Sequence, residues 1–154
     1  MFYLSGQSVC VSNRTKYLGH IITDKMEDDA DMNRQRQMLY VQANMLVRKF
    51  HYSSDDVKVS LFRAFCTPMY AAPLWGSYKK ETLRKLQVAY NDCLRILLKK
   101  PMCSSASKLF VDSGLSTLQA LLRNLMFKFM SQLVKKLYYN DAHEIGRASC
   151  RERV

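Results

Sequence analysis

Hydrophobic and polar positions follow two different periods along this chain, and the change falls near residue 24. Before it, residues 2–4 and 9–11 are short apolar runs around Ser5-Gly6-Gln7-Ser8, and a denser apolar run fills residues 17–22. Short runs bounded by turn residues predict two or three strands. Gly19, inside the last run, predicts a bend or a close approach of another backbone. After residue 24 the apolar spacing is helical.

Residues 28–50 predict a long helix. Carboxylates in its first turn and Arg48 and Lys49 in its last complement the helix dipole. Met38, Leu39, Gln42, Met45, Leu46 and Phe50 fall on one side. Asn33, Arg36, Gln37, Tyr40, Asn44 and Arg48 fall on the other. Ser53, with Asp56 three residues on, predicts the next helix start, with Val57, Leu61, Phe62 and Phe65 as its apolar face. Pro68 and Pro73 make residues 69–75 a kinked apolar segment packed under neighbouring helices, with Trp75 read as core rather than as a stacking platform.

Residues 79–98 carry the clearest amphipathic pattern, with Leu83, Leu86, Tyr90, Cys93, Leu94 and Leu97 as the stripe. Arg84, Val88, Asn91, Arg95 and Lys99 form a row on another side. Pro101 stops this helix, serines 104, 105 and 107 cap a short one over residues 107–111, and Asp112-Ser113-Gly114 breaks the chain again. The last helix, residues 117–138, has an apolar face so wide that burial, or a missing partner, is expected for it. The fold class is therefore mainly α, with a small N-terminal antiparallel β element.

Composition adds a partner class. The 154 residues are 48% hydrophobic, as in a folded domain, and carry a formal net charge of +11. Asp24, Glu27, Asp28, Asp29 and Asp31 sit together, and the chain is strongly basic from Asn33 onward. That balance favours polyanions, chiefly nucleic acid, over the bland alternative of a lysine-rich soluble protein. No apolar run reaches the ~18–20 residues of a membrane span, and Met1-Phe2-Tyr3-Leu4 lacks the pattern of a signal peptide. No membrane partner is expected, and an intracellular setting, cytoplasmic or nuclear, is. The cysteines form no C-x-x-C pair and lie far from the histidines in sequence, so no metal site is expected; His20 and His51 are not read as ligands. Buried free thiols are expected instead.

Residues 141–154 are read as a separate, non-native tail. From Glu144 to Val154 the sequence resembles an in-frame translation of a sequencing-library adapter. Without its three Arg and two Glu the charge is +10, so the basic character does not depend on it.

The remainder carries an ordered set of segments: Lys16-Tyr17-Leu18-Gly19-His20-Ile21-Ile22-Thr23-Asp24, Arg34-Gln35-Arg36, Leu39-Tyr40-Val41-Gln42-Ala43-Asn44, Arg48-Lys49-Phe50, Leu61-Phe62-Arg63-Ala64-Phe65-Cys66, Leu74-Trp75 and Val88-Ala89-Tyr90-Asn91. In this order they resemble the C-terminal part of a non-LTR (LINE-type) retrotransposon reverse transcriptase, over about residues 9–137. The resemblance implies that residues 1–24 form a β element with a primer-grip strand at a palm–thumb junction. Residues 25–140 would form a helical, thumb-like domain that grips the template–primer duplex of RNA and DNA.

The family's paired catalytic aspartates lie upstream, on a palm hairpin missing here. Asp28-Asp29 stands after the junction, at a helix start, and does not take their role. Nucleotidyl transfer needs carboxylates holding two Mg²⁺ ions on a rigid palm. The fragment is thus expected to have no catalytic residue, metal site or cofactor of its own and not to be an enzyme by itself; Mg²⁺ is expected only for the intact parent, whose palm is an implied partner.

The candidate nucleic-acid-binding residues are Lys16, Tyr17, Gly19, Arg36, Gln37, Tyr40, Asn44, Arg48, Arg84, Asn91, Arg95 and Lys99. Cations, amides and an aromatic ring on one helix face suit a phosphate backbone and a groove wall, though the same rows also suit an ordinary solvated face. Lys16 and Tyr17 equally fit a plain strand edge, and Gly19 a bulge. Two further readings stand beside this one: a helical protein–protein interaction module built on residues 118–137 with Lys128, Lys135 and Lys136, and a retroelement relic without function.

Overall fold

The computed structural model describes residues 2–4, 7–9 and 12–151, with side-chain surroundings for residues 12–137. Two antiparallel hairpins come first: β1 (Phe2–Leu4) with β2 (Gln7–Val9), then β3 (Arg14–Tyr17) with β4 (His20–Thr23). Helices α1 (Asp29–Lys49), α2 (Asp55–Phe65), α3 (Lys80–Leu97), α4 (Ala106–Asp112) and α5 (Leu118–Arg151) follow, with a 3₁₀ turn, Ala72–Leu74, between α2 and α3. The chain is mainly helical with small antiparallel β elements at its start, as its patterning predicts. Among the described residues no helix is long and apolar enough to cross a membrane.

The apolar run over residues 17–22 is not one strand. Tyr17 pairs with His20 around a two-residue turn, Leu18-Gly19, with φ of +47° and +84°. Positive φ at both central residues is what a tight hairpin turn matching strand twist demands. Gly19 is therefore the bend, and no other part of the described chain crowds it: a Cβ added there would meet nothing within 4 Å. The strand expected over residues 9–11 is placed over Gln7–Val9 instead; residues 10 and 11 lie outside the described residues.

The main seam joins α1 to α3. Leu39, Ala43 and Leu46 of α1 and Leu86, Ala89, Tyr90, Cys93, Leu94 and Leu97 of α3 are buried in one cluster. Met38, expected inside, is instead largely exposed, and Ala43 takes the buried place in the stripe. Tyr90 is the hinge pin of the cluster. Phe62 of α2 tilts against its ring at 5.3 Å, Phe110 of α4 stacks on it at 5.4 Å, and its hydroxyl donates to the Ser116 carbonyl at 3.2 Å. Burial pushes the Tyr90 phenol up, and it pushes the thiols of Cys66 and Cys93 up to about 12.

Helix α2 is rotated from expectation by about one residue. Lys58, Phe62 and Cys66 form its buried row, while Val57 and Phe65 are exposed. Lys58 fits there because its methylene stem covers apolar surface while the ammonium reaches Asp55 at 3.6 Å. Ser54, not Ser53, holds the extended cap position before α2, and its side chain makes no cap hydrogen bond. Before α4, Ser105 Oγ does accept from the Lys108 amide.

Helix α5 differs most. Leu118 is buried, and Leu121, Leu122 and Leu125 pack partly on the core. Beyond them Phe127, Met130, Val134 and Leu137 are exposed. The helix runs on to Arg151, through the segment read as a separate tail. Propagating an existing helix adds one hydrogen bond per residue fixed, so no apolar face is required for continuation.

Candidate nucleic-acid interface

The acidic cluster that opens α1 does more than face a dipole. Asp31 is fully buried and collects five contacts. Its Oδ2 accepts from Trp75 Nε1 at 3.0 Å and meets His20 Nδ1 at 3.0 Å. Its Oδ1 accepts from the Ile21 amide at 3.3 Å and from Arg34 Nε and Nη2 at 3.0 and 2.8 Å. Burial alone would raise the Asp31 carboxyl; the Trp75 N–H, the Arg34 guanidinium and the His20 imidazole together hold it below the ordinary value of 3.8. Asp28 accepts from the Gly76 and Ser77 amides, both at 2.9 Å, and stands 3.5 Å from His20 Nε2. Asp29 accepts from the Lys79 amide and the Thr82 hydroxyl. Three carboxylates thus fasten the second hairpin and the segment before α3 to the start of α1.

That fastening sets how α1 lies against α3 and what the two present on their outer side. Arg36 and Tyr40 of α1 and Glu81, Arg84, Lys85 and Val88 of α3 line a hollow of about 360 Å³, so one carboxylate stands among three cations. Lys85 is paired with Glu81 at 2.6 Å. Among the described residues no carboxylate lies within ion-pair distance of Arg36 or Arg84. Tyr40 is half-buried, and burial, Cys93 and Asp92 raise its phenol, so the hydroxyl keeps its proton for donation. Further along α1, Asn44 and Arg48 line a second shallow hollow with Val41, Met45 and Lys49. Arg36, Tyr40, Asn44 and Arg48 are each four residues apart. At 1.5 Å per residue they span about 18 Å of helix, about five steps along a nucleic-acid strand. Gln37 is exposed beside them.

Other candidates are not drawn into this surface. Arg95, half-buried, binds Asp92 at 2.8 Å and the Ser104 carbonyl at 2.9 and 3.2 Å, tying α3 to the loop after it. Its position in the predicted row is correct, but its donors are spent internally. Asn91 is half-buried, and Lys99 is exposed at a positive φ of +53°, just past the end of α3. Lys16 and Tyr17 are exposed on β3, whereas the hairpin meets α1 chiefly through β4.

Sequence reasoning missed Asp31, Trp75 as its donor, and His20 as a bridge between two carboxylates. One signal was present: Asp31 adjoins Met32 on the side of α1 that also buries Leu39, Ala43 and Leu46. A carboxylate next to a buried stripe implies partners.

Among the described residues no group of His, Cys, Asp or Glu is arranged to hold a metal ion. In the acidic cluster both Asp31 oxygens, Asp28 Oδ2 and Asp29 Oδ1 already face N–H or O–H donors. No family model, curated protein or solved structure matches the chain.

Proposed function

We propose that this chain is the primer-grip hairpin and thumb of a retroelement reverse transcriptase, without the catalytic palm, and that it binds an RNA/DNA template–primer duplex without reading its sequence. One observation carries the reading: two basic rows, one on α1 and one on α3, meet at one hollow that Arg36, Tyr40 and Arg84 line together. Two guanidiniums and a phenol donor suit phosphate oxygens, and the cations along α1 continue the track. The chain's own residues bind and orient the duplex; no chemical step is assigned to them. Such a role places the protein inside the cell, in the cytoplasm or nucleus.

Counterion release supplies the test. The affinity for a labelled RNA/DNA hybrid should fall with salt at a log–log slope of roughly −0.9 per phosphate contact. Replacing Arg36 and Arg84 together by Glu should flatten that slope by about two contacts. Hybrids of unrelated sequence should bind alike. An unchanged slope in the double variant sinks the assignment of this face.

A further inference from the structure

Helix α5 leaves its mark on the opposite chemistry. From Leu122 onward, Met126, Met130, Leu133, Val134 and Leu137 fall within one arc of the helix at 100° per residue, with Phe127 at its edge. Phe127 is 73% exposed and Leu137 63%. This arc is not flat. Where it passes the 3₁₀ turn, Trp75 and Tyr78 form an opposite wall, and a concave groove of about 450 Å³ opens between them and Met126, Phe127 and Met130. Arg123 lies on its rim.

Charge says what covers this face. Between Leu118 and Leu137 the sequence holds Arg123, Lys128, Lys135 and Lys136 and no acidic residue. Of these cations Arg123 falls inside the arc and lines the groove, which has no carboxylate among its lining residues, so a second copy would bring Arg123 to a groove of its own charge and self-pairing is opposed. A flat lipid surface would not fill a concave slot, whereas an apolar side chain projecting from a helix would. Met126 and Met130 have the flexible thioether chains that mould to an inserted group. We propose that the groove between α5 and the Trp75–Tyr78 segment is a docking site for an acidic amphipathic helix of another protein, seated through one bulky apolar side chain and flanked by carboxylates, one of which meets Arg123.

Trp75 is the sole tryptophan of the chain and lines the groove, so its emission reads occupancy directly. The full chain is titrated with a synthetic peptide of about 18 residues, Leu at helical spacing and Glu on the flanks, and with the same peptide carrying Lys for Glu. The acidic peptide should shift Trp75 emission and bind at least about tenfold more tightly than the basic one, the difference shrinking with salt. Phe127→Ser with Met130→Ser should weaken it by about tenfold or more while circular dichroism stays unchanged, since both side chains are exposed. Arg36→Glu, on the other face, should leave it unaffected, so failure here is distinguishable from failure of the nucleic-acid reading. Equal binding of the two peptides, or no emission change, overturns the proposal. So does a concentration-dependent dimer that binds no peptide, which gives the groove to a second copy, and so does binding only to phosphatidylserine vesicles.

Discussion

Trp75 and Asp31 are 44 positions apart in the chain and joined by a 3.0 Å hydrogen bond, indole N–H to carboxylate, with both side chains buried. The same carboxylate holds the Ile21 amide and the Arg34 guanidinium. Asp31→Ala removes the acceptor from all of them. It should cost about 3–5 kcal/mol in urea unfolding, the range for breaking a buried, partnered charge. Trp75→Phe deletes one donor and should cost less. A double-mutant cycle with Asp31→Asn should return a coupling of about 0.5–3 kcal/mol.

Acid should act through the same residue. Asp31 has a folded value below 3.8, so it adds stability that is present above about pH 4 and is lost as pH falls through the folded value. Urea midpoints should therefore decline below about pH 4, and Asp31→Asn should flatten that part of the decline.

The turn of the second hairpin is under local strain, because Leu18 sits at φ +47° where an L-residue with a Cβ is disfavoured. Its side chain is exposed and loses no packing on replacement. Leu18→Asn should stabilise the hairpin by about 0.5–1 kcal/mol, and Gly19→Ala, at φ +84°, should destabilise it by about 1 kcal/mol. Slower and faster amide exchange at β3 and β4, respectively, would confirm this.

Arg95 and Arg84 separate structure from binding. Arg95→Ala should cost about 1.5–3 kcal/mol of stability, from its bonds to Asp92 and Ser104. It should leave hybrid affinity within about twofold. Arg84→Ala should do the reverse: little change in unfolding and a measurable loss of affinity.

The cysteines offer a direct check on the packing. Cys66 and Cys93 are buried with thiols raised to about 12, while Cys103 is exposed. A thiol reagent near neutral pH should label Cys103 in the folded chain and reach Cys66 and Cys93 only in denaturant, with peptide mapping as the readout.

How far this was legible from residues alone depends on what kind of signal each element carries. Helix α3 was readable because Leu86, Tyr90, Cys93, Leu94 and Leu97 repeat on one period, and α4 because serines precede it and Gly114 ends the turn after it. The Leu18-Gly19 turn was hidden, since an apolar residue occupies a place usually marked by Asn or Asp. Lys58 in a buried row and Met38 outside one went unseen because burial depends on the neighbour, and a long side chain serves on either side. The convergence of Arg36 with Arg84 is tertiary: each row was visible, their meeting was not. The diversion of Arg95 into Asp92 and Ser104 depends on a loop whose course no local pattern fixes.

The tightest seam in this molecule joins α1 to α3 and passes over α2, its neighbour along the chain. Bringing those two together closes a loop of about 30 residues before any of their mutual burial is gained, and that closure entropy opposes early folding. Refolding should therefore be limited by a nucleus in which α1 and α3 arrive together. Substitutions at Ala43 or Ala89 should slow refolding, whereas changes in α2 should chiefly speed unfolding.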